Sequence, residues 1–174
     1  ARSYQVHGAE IWQTSLPGYQ SGYDAIISET TGIFAGVGIA DCCPILLADP
    51  VRRVSAAIHA GWKGTVAQIV HKTASTLIAA GSHPADILAY IGPCISLKRF
   101  EVGDEVAAQF EHKEKRGERW HVDLKATNAA QLRSLGITQI EISDYCTVEH
   151  NDVFFSHRRE NGITGRMLAV VGFR

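Results

Sequence analysis

Three short motifs each place a metal-binding or nucleophilic side chain beside glycine or proline. They are Gln5-Val6-His7-Gly8, Ala40-Asp41-Cys42-Cys43-Pro44 and Ile58-His59-Ala60-Gly61-Trp62. Such residues are typical of strand ends, where a side chain reaches the rim of a sheet. Imidazole and thiolate are preferred ligands of zinc and copper. Three ligands, His7, Cys42 and His59, would leave a fourth position for water or substrate, which is the pattern of a catalytic zinc site.

Spacing alone leaves two other interpretations of these residues open. Positions 7, 42 and 59 are separated by 35 and 17 residues, so no local motif of the Cys-x-x-Cys kind supports a metal. Cys42 or Cys43 beside His59 would provide a thiolate nucleophile and its base. Single histidines and cysteines are also often packed in a core without any chemical role.

A cluster of arginines near the C-terminus is the second candidate for chemistry. It lies in Phe154-Phe155-Ser156-His157-Arg158-Arg159-Glu160 and Thr164-Gly165-Arg166. Guanidinium groups beside glycine and hydroxyl groups are suited to binding phosphate. The alternative is salt bridging to neighbouring carboxylates, which adds little stability at a surface. Arg158, Arg159 and Arg166 are therefore candidates for phosphate binding.

A glycine-rich turn, Gly61-Trp62-Lys63-Gly64-Thr65, precedes a predicted helix and is the third candidate. Backbone N–H groups at such a turn can bind an anion. The spacing differs from a Walker A sequence, and a plain tight turn is the alternative. Trp62 would either stack on a planar ligand or pack in the core.

The elements that must position these residues are mostly strands in the first half and helices later. Short runs rich in aliphatic and β-branched residues predict strands at 10–14, 24–28, 33–40, 44–48, 54–59, 87–91, 138–142 and 167–173. Apolar spacing predicts helices at 65–80, 102–110 and 124–135, with Asp123 as an N-cap and with Gly81 and Gly136 as C-terminal caps. The mixed-charge stretch 111–119 predicts a surface loop. This mixture indicates an α/β or α+β fold without simple Rossmann alternation.

Composition limits the classes of partner and compartment. The 174 residues include 45% hydrophobic and 20% charged residues, an ordinary content for one globular domain. A net charge of -1 provides no general attraction to nucleic acid or to an anionic membrane. No apolar run is long enough to span a bilayer, and the first residues do not resemble a signal peptide, which favours the cytoplasm. Four cysteines, two of them adjacent, indicate reduced thiols.

The motifs taken in order resemble the laccase-domain family, also called YfiH-type or polyphenol oxidase-like. The resemblance rests on the three motifs above, on Ile91-Gly92-Pro93-Cys94-Ile95, on Phe100-Glu101-Val102-Gly103, and on the arginine cluster with Met167. It extends from Gln5 almost to the C-terminus. Several multi-residue motifs in one order make chance similarity improbable.

The resemblance implies a fold and a ligand set. The family has a layered α/β/β/α fold with mixed β-sheets, similar to the catalytic domain of cytotoxic necrotizing factors, which are Cys–His deamidases. Its metal ligands correspond to His7, Cys42 and His59, and Cys42 is chosen over Cys43 because the family's ligand directly follows Asp. Asp41 would then orient a ligand from outside the metal's own ligand shell.

The resemblance also implies an activity, for which two descriptions exist. One is copper-dependent oxidation of polyphenols. The other is phosphorolysis of adenosine, inosine, guanosine and methylthioadenosine, with deamination of adenosine. A multicopper centre needs many closely spaced ligands, whereas this chain has eight scattered histidines and one methionine. The chain is therefore expected to be a zinc-dependent enzyme, with copper as the alternative metal, acting on purine nucleoside and phosphate.

The family usually carries a substantial segment before its Gln-Val-His motif, including an Asn-Arg pair associated with the substrate or phosphate site. This sequence starts four residues before Gln5. We therefore expect residues 1–174 to form a single laccase-domain-like domain without that segment. Either the sequence is a fragment of a longer protein, or Arg2 or another arginine substitutes for the missing one. Ile39 stands where threonine is usual in the family, and His157 where tyrosine is common.

Overall fold

The structure is a computed structural model that describes residues 1–174. Its largest sheet has six strands in the order β12-β8-β6-β7-β4-β2. These strands are β2 (Ile11–Thr14), β4 (Ala25–Ser28), β6 (Cys43–Asp49), β7 (Val54–Ala60), β8 (Leu88–Ile91) and β12 (Ile140–Ile142). Every residue of β4 and β7 is buried, which explains why their sequences are continuous apolar runs rather than alternating ones.

Two smaller sheets complete the β-structure. A four-stranded sheet has the order β13-β5-β1-β3, and a three-stranded sheet the order β10-β11-β9. Their strands are β1 (Arg2–Tyr4), β3 (Tyr19–Ser21), β5 (Ala35–Ile39), β9 (Glu101–Val102), β10 (Lys113–Arg116), β11 (Arg119–Val122) and β13 (Met167–Val171).

The helices are α1 (Trp62–Val66), α2 (Ile69–Ala79), α3 (Asp104–Ala107) and α4 (Leu124–Ser134), with a 3-10 turn at Pro84–Asp86. The main core of 26 residues joins α2 and α4 to one face of the six-stranded sheet. A second cluster, which includes Ile26, Val37 and Ala57, lies between the six-stranded and the four-stranded sheet. Successive residues of β4 and β7 thus fill two different cores, as strand geometry requires. None of the helices is long and apolar enough to span a membrane.

The mixed α/β class predicted from the sequence is confirmed, and the apolar strands lie close to their predicted positions. Asp123 caps α4 as predicted, because its side chain accepts a hydrogen bond from the Ala126 N–H at 2.9 Å. The layers are helices, the six-stranded sheet and the four-stranded sheet.

The continuous helix predicted at 65–80 was wrong. Gln68 has a left-handed backbone with φ 59° and separates α1 from α2. The Thr65 carbonyl accepts hydrogen bonds from the Gln68 N–H at 3.0 Å and from the Gln131 side chain of α4 at 2.8 Å. A contact from a distant helix therefore ends the first segment, although the apolar stripe continues through the break.

Two predictions failed in the segment 101–122. The helix predicted at 102–110 is only the single turn α3, because Glu101 and Val102 pair with β11 as strand β9. The predicted loop at 111–119 contains most of a β-hairpin, in which Gly117 takes the positive φ of 60° that a two-residue turn requires. The amino groups of Lys113 and Lys115 lie 5.3 and 5.5 Å from the Trp120 ring, so charged side chains stabilise a strand that carries no apolar pattern.

Candidate metal centre and its cavity

His59 is positioned by the antiparallel pairing of β7 with β4. The register that pairs Ala25 with Ile58 continues one step, where the His59 N–H donates to the Asp24 carbonyl at 2.7 Å. Residues opposite each other in antiparallel strands project from the same face of a sheet. The Asp24 side chain therefore meets the His59 ring, and its Oδ1 lies 2.7 Å from His59 Nδ1. Asp24 is fully buried, and His59 is only 3% exposed.

His7 is held by the same carboxylate. The backbone N–H groups of Val6, His7 and Gly8 donate to Asp24 at 3.2, 3.0 and 2.7 Å. The chain turns sharply around this carboxylate, and His7 adopts a positive φ of 60°. As a result, the rings of His7 and His59 are 4.8 Å apart between centroids and nearly perpendicular.

Cys42 completes the group from the loop between β5 and β6. One ligand atom from each of His7, Cys42 and His59 lies within 4.8 Å of the other two. The space among them depends on Gly61, where a Cβ atom would lie 3.0 Å from Cys42 Sγ and 3.2 Å from His7 Cδ2. The glycine of the His-Ala-Gly-Trp motif therefore keeps open the space beside Cys42 and His7.

The charges of these groups favour a thiolate beside an imidazolium in the metal-free chain. Burial disfavours the Cys42 thiolate, but hydrogen bonds from His59 and His7 outweigh burial and lower the pKa of Cys42 to about 6. Burial likewise opposes the charged form of His59, but hydrogen bonds to Asp24 and Cys42 raise the pKa of His59 to about 9. Burial would raise the pKa of Asp24, and hydrogen bonds from His59 and from the Gly8 and Val6 amides lower it instead.

The three side chains fit a borderline-soft transition metal. Two imidazoles and one thiolate are typical ligands of catalytic zinc, and an electron-rich thiolate also suits copper. Asp24 occupies the place of the carboxylate that commonly fixes the ring of a metal-binding histidine from its second nitrogen. Of the His, Cys, Asp and Glu side chains in residues 1–174, this is the one group of three or more that lies within metal-binding distance.

The group opens into a cavity of about 620 Å³. Its lining combines polar and apolar side chains, since the metal-binding group and three arginines line it together with aromatic and aliphatic residues. The lining includes Arg2, Tyr4, His7, Tyr19, Asp41, Cys42, His59, Trp62, Ile95, Phe100, Leu124, His157, Arg158 and Arg166. This volume is in the range of small-molecule sites.

The structure separates the three candidate arginines. Arg158 and Arg166 line the cavity, whereas Arg159 is exposed and does not. The Arg158 guanidinium lies 5.7 Å from the centre of the Phe100 ring, and Arg166 donates to the Thr164 and Gly165 carbonyls. Arg2, which the first motif alone would not single out, also lines the cavity through β1.

Asp24, and not Asp41, orients a ligand of the candidate metal centre. The Asp41 carboxylate accepts hydrogen bonds from the Thr147 hydroxyl at 2.5 Å and from the Arg158 N–H at 2.8 Å, both remote in sequence. Asp24 was missed because nothing in its own sequence surroundings marks it. It becomes recognisable only once the register of β4 against β7 is known, which places it opposite His59.

The second glycine of the glycine-rich turn, Gly64, lies against the backbone of Gly8. A Cβ atom there would lie 2.9 Å from the Gly8 carbonyl oxygen, so α1 packs directly on the His7 turn. Trp62 is half-buried and faces the cavity, with the Lys63 amino group 5.6 Å from its ring. The turn therefore joins two parts of the site through close backbone packing.

Comparison with known proteins gives consistent matches along the whole chain. A family model described as multi-copper polyphenol oxidoreductase laccase matches residues 1–174. A purine nucleoside phosphorylase from Deinococcus radiodurans is 42% identical over 178 residues, covering 99% of this chain and 69% of that protein. The purine nucleoside phosphorylase YfiH from Escherichia coli is 34% identical over 180 residues, covering 96% of this chain and 71% of that protein.

Solved structures match the fold equally closely. YlmD from Geobacillus stearothermophilus aligns with a TM-score of 0.93 and 31% identity, over 98% of this chain and 72% of that one. The YfiH protein from Bacillus licheniformis aligns with a TM-score of 0.92 and 31% identity. The chain spans only part of each relative, down to 60% of a purine nucleoside phosphorylase from Bacteroides thetaiotaomicron.

Proposed function

Because this chain belongs to the multi-copper polyphenol oxidoreductase laccase family, in which its relatives are named purine nucleoside phosphorylases, we propose that it is a metal-dependent purine nucleoside phosphorylase. The observation that carries the proposal is the joint placement of His7, Cys42 and His59 beside Arg158 and Arg166 in one cavity. One small molecule in that cavity can therefore reach both a metal held by the three ligands and the phosphate-binding arginines. We assign zinc as the metal, with copper as the alternative.

The polar and the aromatic side chains of the cavity bind different parts of the substrates. The guanidinium groups of Arg2, Arg158 and Arg166 bind phosphate, since paired N–H donors match its oxygens. The aromatic rings of Tyr4, Tyr19, Trp62 and Phe100 offer faces on which a purine stacks. Held together in one cavity, phosphate and nucleoside react as neighbours rather than by chance encounter.

In the reaction, a phosphate oxygen forms a bond to ribose C1′ while the bond from C1′ to the purine nitrogen breaks. Inosine and phosphate thus give hypoxanthine and ribose 1-phosphate, and the departing purine takes up a proton. Asp24 keeps the His59 ring oriented throughout by its hydrogen bond to Nδ1. Zinc held by His7, Cys42 and His59 would supply Lewis-acid activation when bound.

The substrates proposed for the site are adenosine, inosine, guanosine and methylthioadenosine, with deamination of adenosine as a second reaction. Deamination adds water to the purine and releases ammonia, so it needs no phosphate. Purified chain with measured metal content is incubated with inosine and with adenosine, each with and without phosphate, and products are separated by chromatography. We expect hypoxanthine from inosine only with phosphate, and inosine from adenosine even without it. Release of hypoxanthine from inosine that is equal with and without phosphate would refute the phosphorylase.

A second candidate is a metal-free thiol enzyme, a hydrolase or deamidase. It is favoured by one observation, the chain of contacts from Cys42 through His59 to the buried Asp24, which resembles a nucleophile, a base and an orienting carboxylate. Activity that persists in a strong chelator would select this candidate. Copper-dependent oxidation of polyphenols is less compatible with the site, since a multicopper centre needs more than one group of ligands.

A further inference from the structure

We infer that Asp41 is a positioning residue, which anchors the segment Ser156–Arg158 beside Cys42 so that His157 and Arg158 face the cavity in a fixed place. The inference rests on the proposed function, because it assigns this anchor to the affinity of the same site for its substrates. The Asp41 carboxylate contacts Thr147 and the Arg158 backbone rather than a metal ligand or the substrate. It acts through the segment that it holds.

Each oxygen of the Asp41 carboxylate accepts one hydrogen bond. Oδ1 accepts from the Thr147 hydroxyl at 2.5 Å, and Oδ2 accepts from the Arg158 N–H at 2.8 Å. Asp41 is 8% exposed, and Thr147 is completely buried. A buried carboxylate that accepts two hydrogen bonds is costly to remove, because its donors would remain without partners. Asp41 therefore ties together three parts of the chain that are far apart in sequence.

The anchored segment is already well ordered by its own hydrogen bonds. The Ser156 N–H donates to Glu160 Oε1 at 2.9 Å, and the Asn151 amide donates to the same oxygen at 2.7 Å. The Arg159 N–H donates to the Ser156 hydroxyl oxygen at 3.1 Å. These bonds fix the shape of the turn but do not attach it to the metal-binding group. The bond from the Arg158 N–H to Asp41 makes that attachment, next to Cys42.

The attachment matters because two side chains of the segment reach the cavity. His157 and Arg158 both line it, as Cys42 does. Arg158 makes only long hydrogen bonds to the Arg99 and Glu101 carbonyls, at 3.4 and 3.3 Å, so its own contacts hold it weakly. A displacement of about 1 Å in a binding group can cost on the order of a hundredfold in rate. Loss of the anchor should therefore weaken substrate binding while the metal ligands stay in place.

Three variants separate positioning from charge and from general damage. Asp41→Ala removes both accepted bonds. Asp41→Asn keeps one hydrogen bond to each partner, because its oxygen accepts from the Arg158 N–H while its NH2 group donates to the Thr147 hydroxyl, which becomes the acceptor. Asp49→Ala is the matched control, since Asp49 is also buried and also accepts backbone N–H bonds, from Val51 and Arg52, but lies outside the cavity.

The variants are compared by metal content, by KM and kcat for phosphorolysis of inosine, and by hydrogen–deuterium exchange of residues 156–162. For Asp41→Ala we expect a rise in KM of about tenfold or more and faster exchange in 156–162, with metal content unchanged. Asp41→Asn should restore KM to within about threefold of the original chain. Asp49→Ala should leave both KM and the exchange of 156–162 unaltered.

An unchanged KM in Asp41→Ala, or an equal loss in Asp41→Asn, would overturn the inference. If Asp41→Ala does not fold, Thr147→Val removes one of the two bonds and should raise KM and exchange by a smaller factor, and no change in either would overturn the inference. If the original chain shows no phosphorolysis, the proposed function fails, but exchange of 156–162 still decides whether Asp41 is the anchor.

Discussion

Asp24 makes four hydrogen bonds with two oxygen atoms, to His59 and to the amides of Val6, His7 and Gly8. Asp24→Asn leaves a single accepting oxygen, so hydrogen bonds that hold the His59 ring and the backbone at His7 are lost. Replacement of such a supporting carboxylate typically weakens metal binding by about 10–100-fold. We expect that loss for Asp24→Asn in zinc titrations against a competing chelator, with Asp49→Asn as the control. An unchanged zinc affinity in Asp24→Asn would show that Asp24 does not support the site.

Cys42 should react with alkylating agents at a lower pH than an ordinary thiol. Its pKa of about 6 means that the reactive thiolate forms as pH rises through that value, whereas a free thiol needs a pH near 8.5. The other three cysteines are buried. In metal-free protein, iodoacetamide should therefore label Cys42 alone, with a rate that is half-maximal near pH 6. A midpoint near pH 8.5, or labelling at several cysteines, would contradict the proposed environment of Cys42.

At the residue scale, motifs led to His7, Cys42 and His59, and the structure brings these three together. They remain proposed ligands. Asp24 and the anchor at Asp41 could not be found in the same way, because both act through partners that are distant in sequence. The register of β4 on β7, and the path of the chain after β12, determine those partners.

At the element scale, α1 packs closely against the turn that contains His7, because Gly61 and Gly64 carry no side chains there. Gly61→Ala would place a methyl group 3.0 Å from Cys42 Sγ, although its φ of -71° is open to any residue. The fold should therefore survive while the ligands are pushed apart. We expect a near-normal far-UV circular dichroism spectrum and a zinc affinity that is lower by about tenfold or more.

Gly18→Ala is a suitable control for Gly61→Ala, because its added Cβ would meet only the Trp12 ring, at 3.4 Å. It should keep full zinc affinity. Retention of zinc by Gly61→Ala at the level of Gly18→Ala would show that the space beside Cys42 and His7 is not needed for the metal.

The elements differ in how far the sequence determines them. Buried strands such as β6 and β7 carry continuous apolar runs, and α4 has a recognisable cap at Asp123, so each could be predicted. The strands β10 and β11 could not, since alternating charges and contacts of lysine with Trp120 replace an apolar pattern. The break at Gln68 was also unpredictable, because it depends on a side chain from α4.

At the scale of the whole molecule, one core of 26 buried residues runs from Ala25 to Val148 and joins the six-stranded sheet to α2 and α4. We propose that residues 1–174 form a single cooperative domain, as expected from the sequence. Thermal unfolding should then show one transition, whose midpoint rises when zinc is added, because zinc binds the folded chain. Two separate transitions would contradict a single domain.

A comparison of Cys42→Ala with Cys43→Ala tests directly whether Cys42 binds a metal that the phosphorylase reaction needs. Both remove one thiol from adjacent positions, but only Cys42 belongs to the proposed metal centre, whereas Cys43 is fully buried in the main core. Bound zinc and phosphate-dependent release of hypoxanthine from inosine are measured for both variants. We expect Cys42→Ala to lose the zinc and at least about a hundredfold in kcat/KM, and Cys43→Ala to keep zinc and activity. Full zinc content and full phosphorolysis in Cys42→Ala would contradict that role of Cys42.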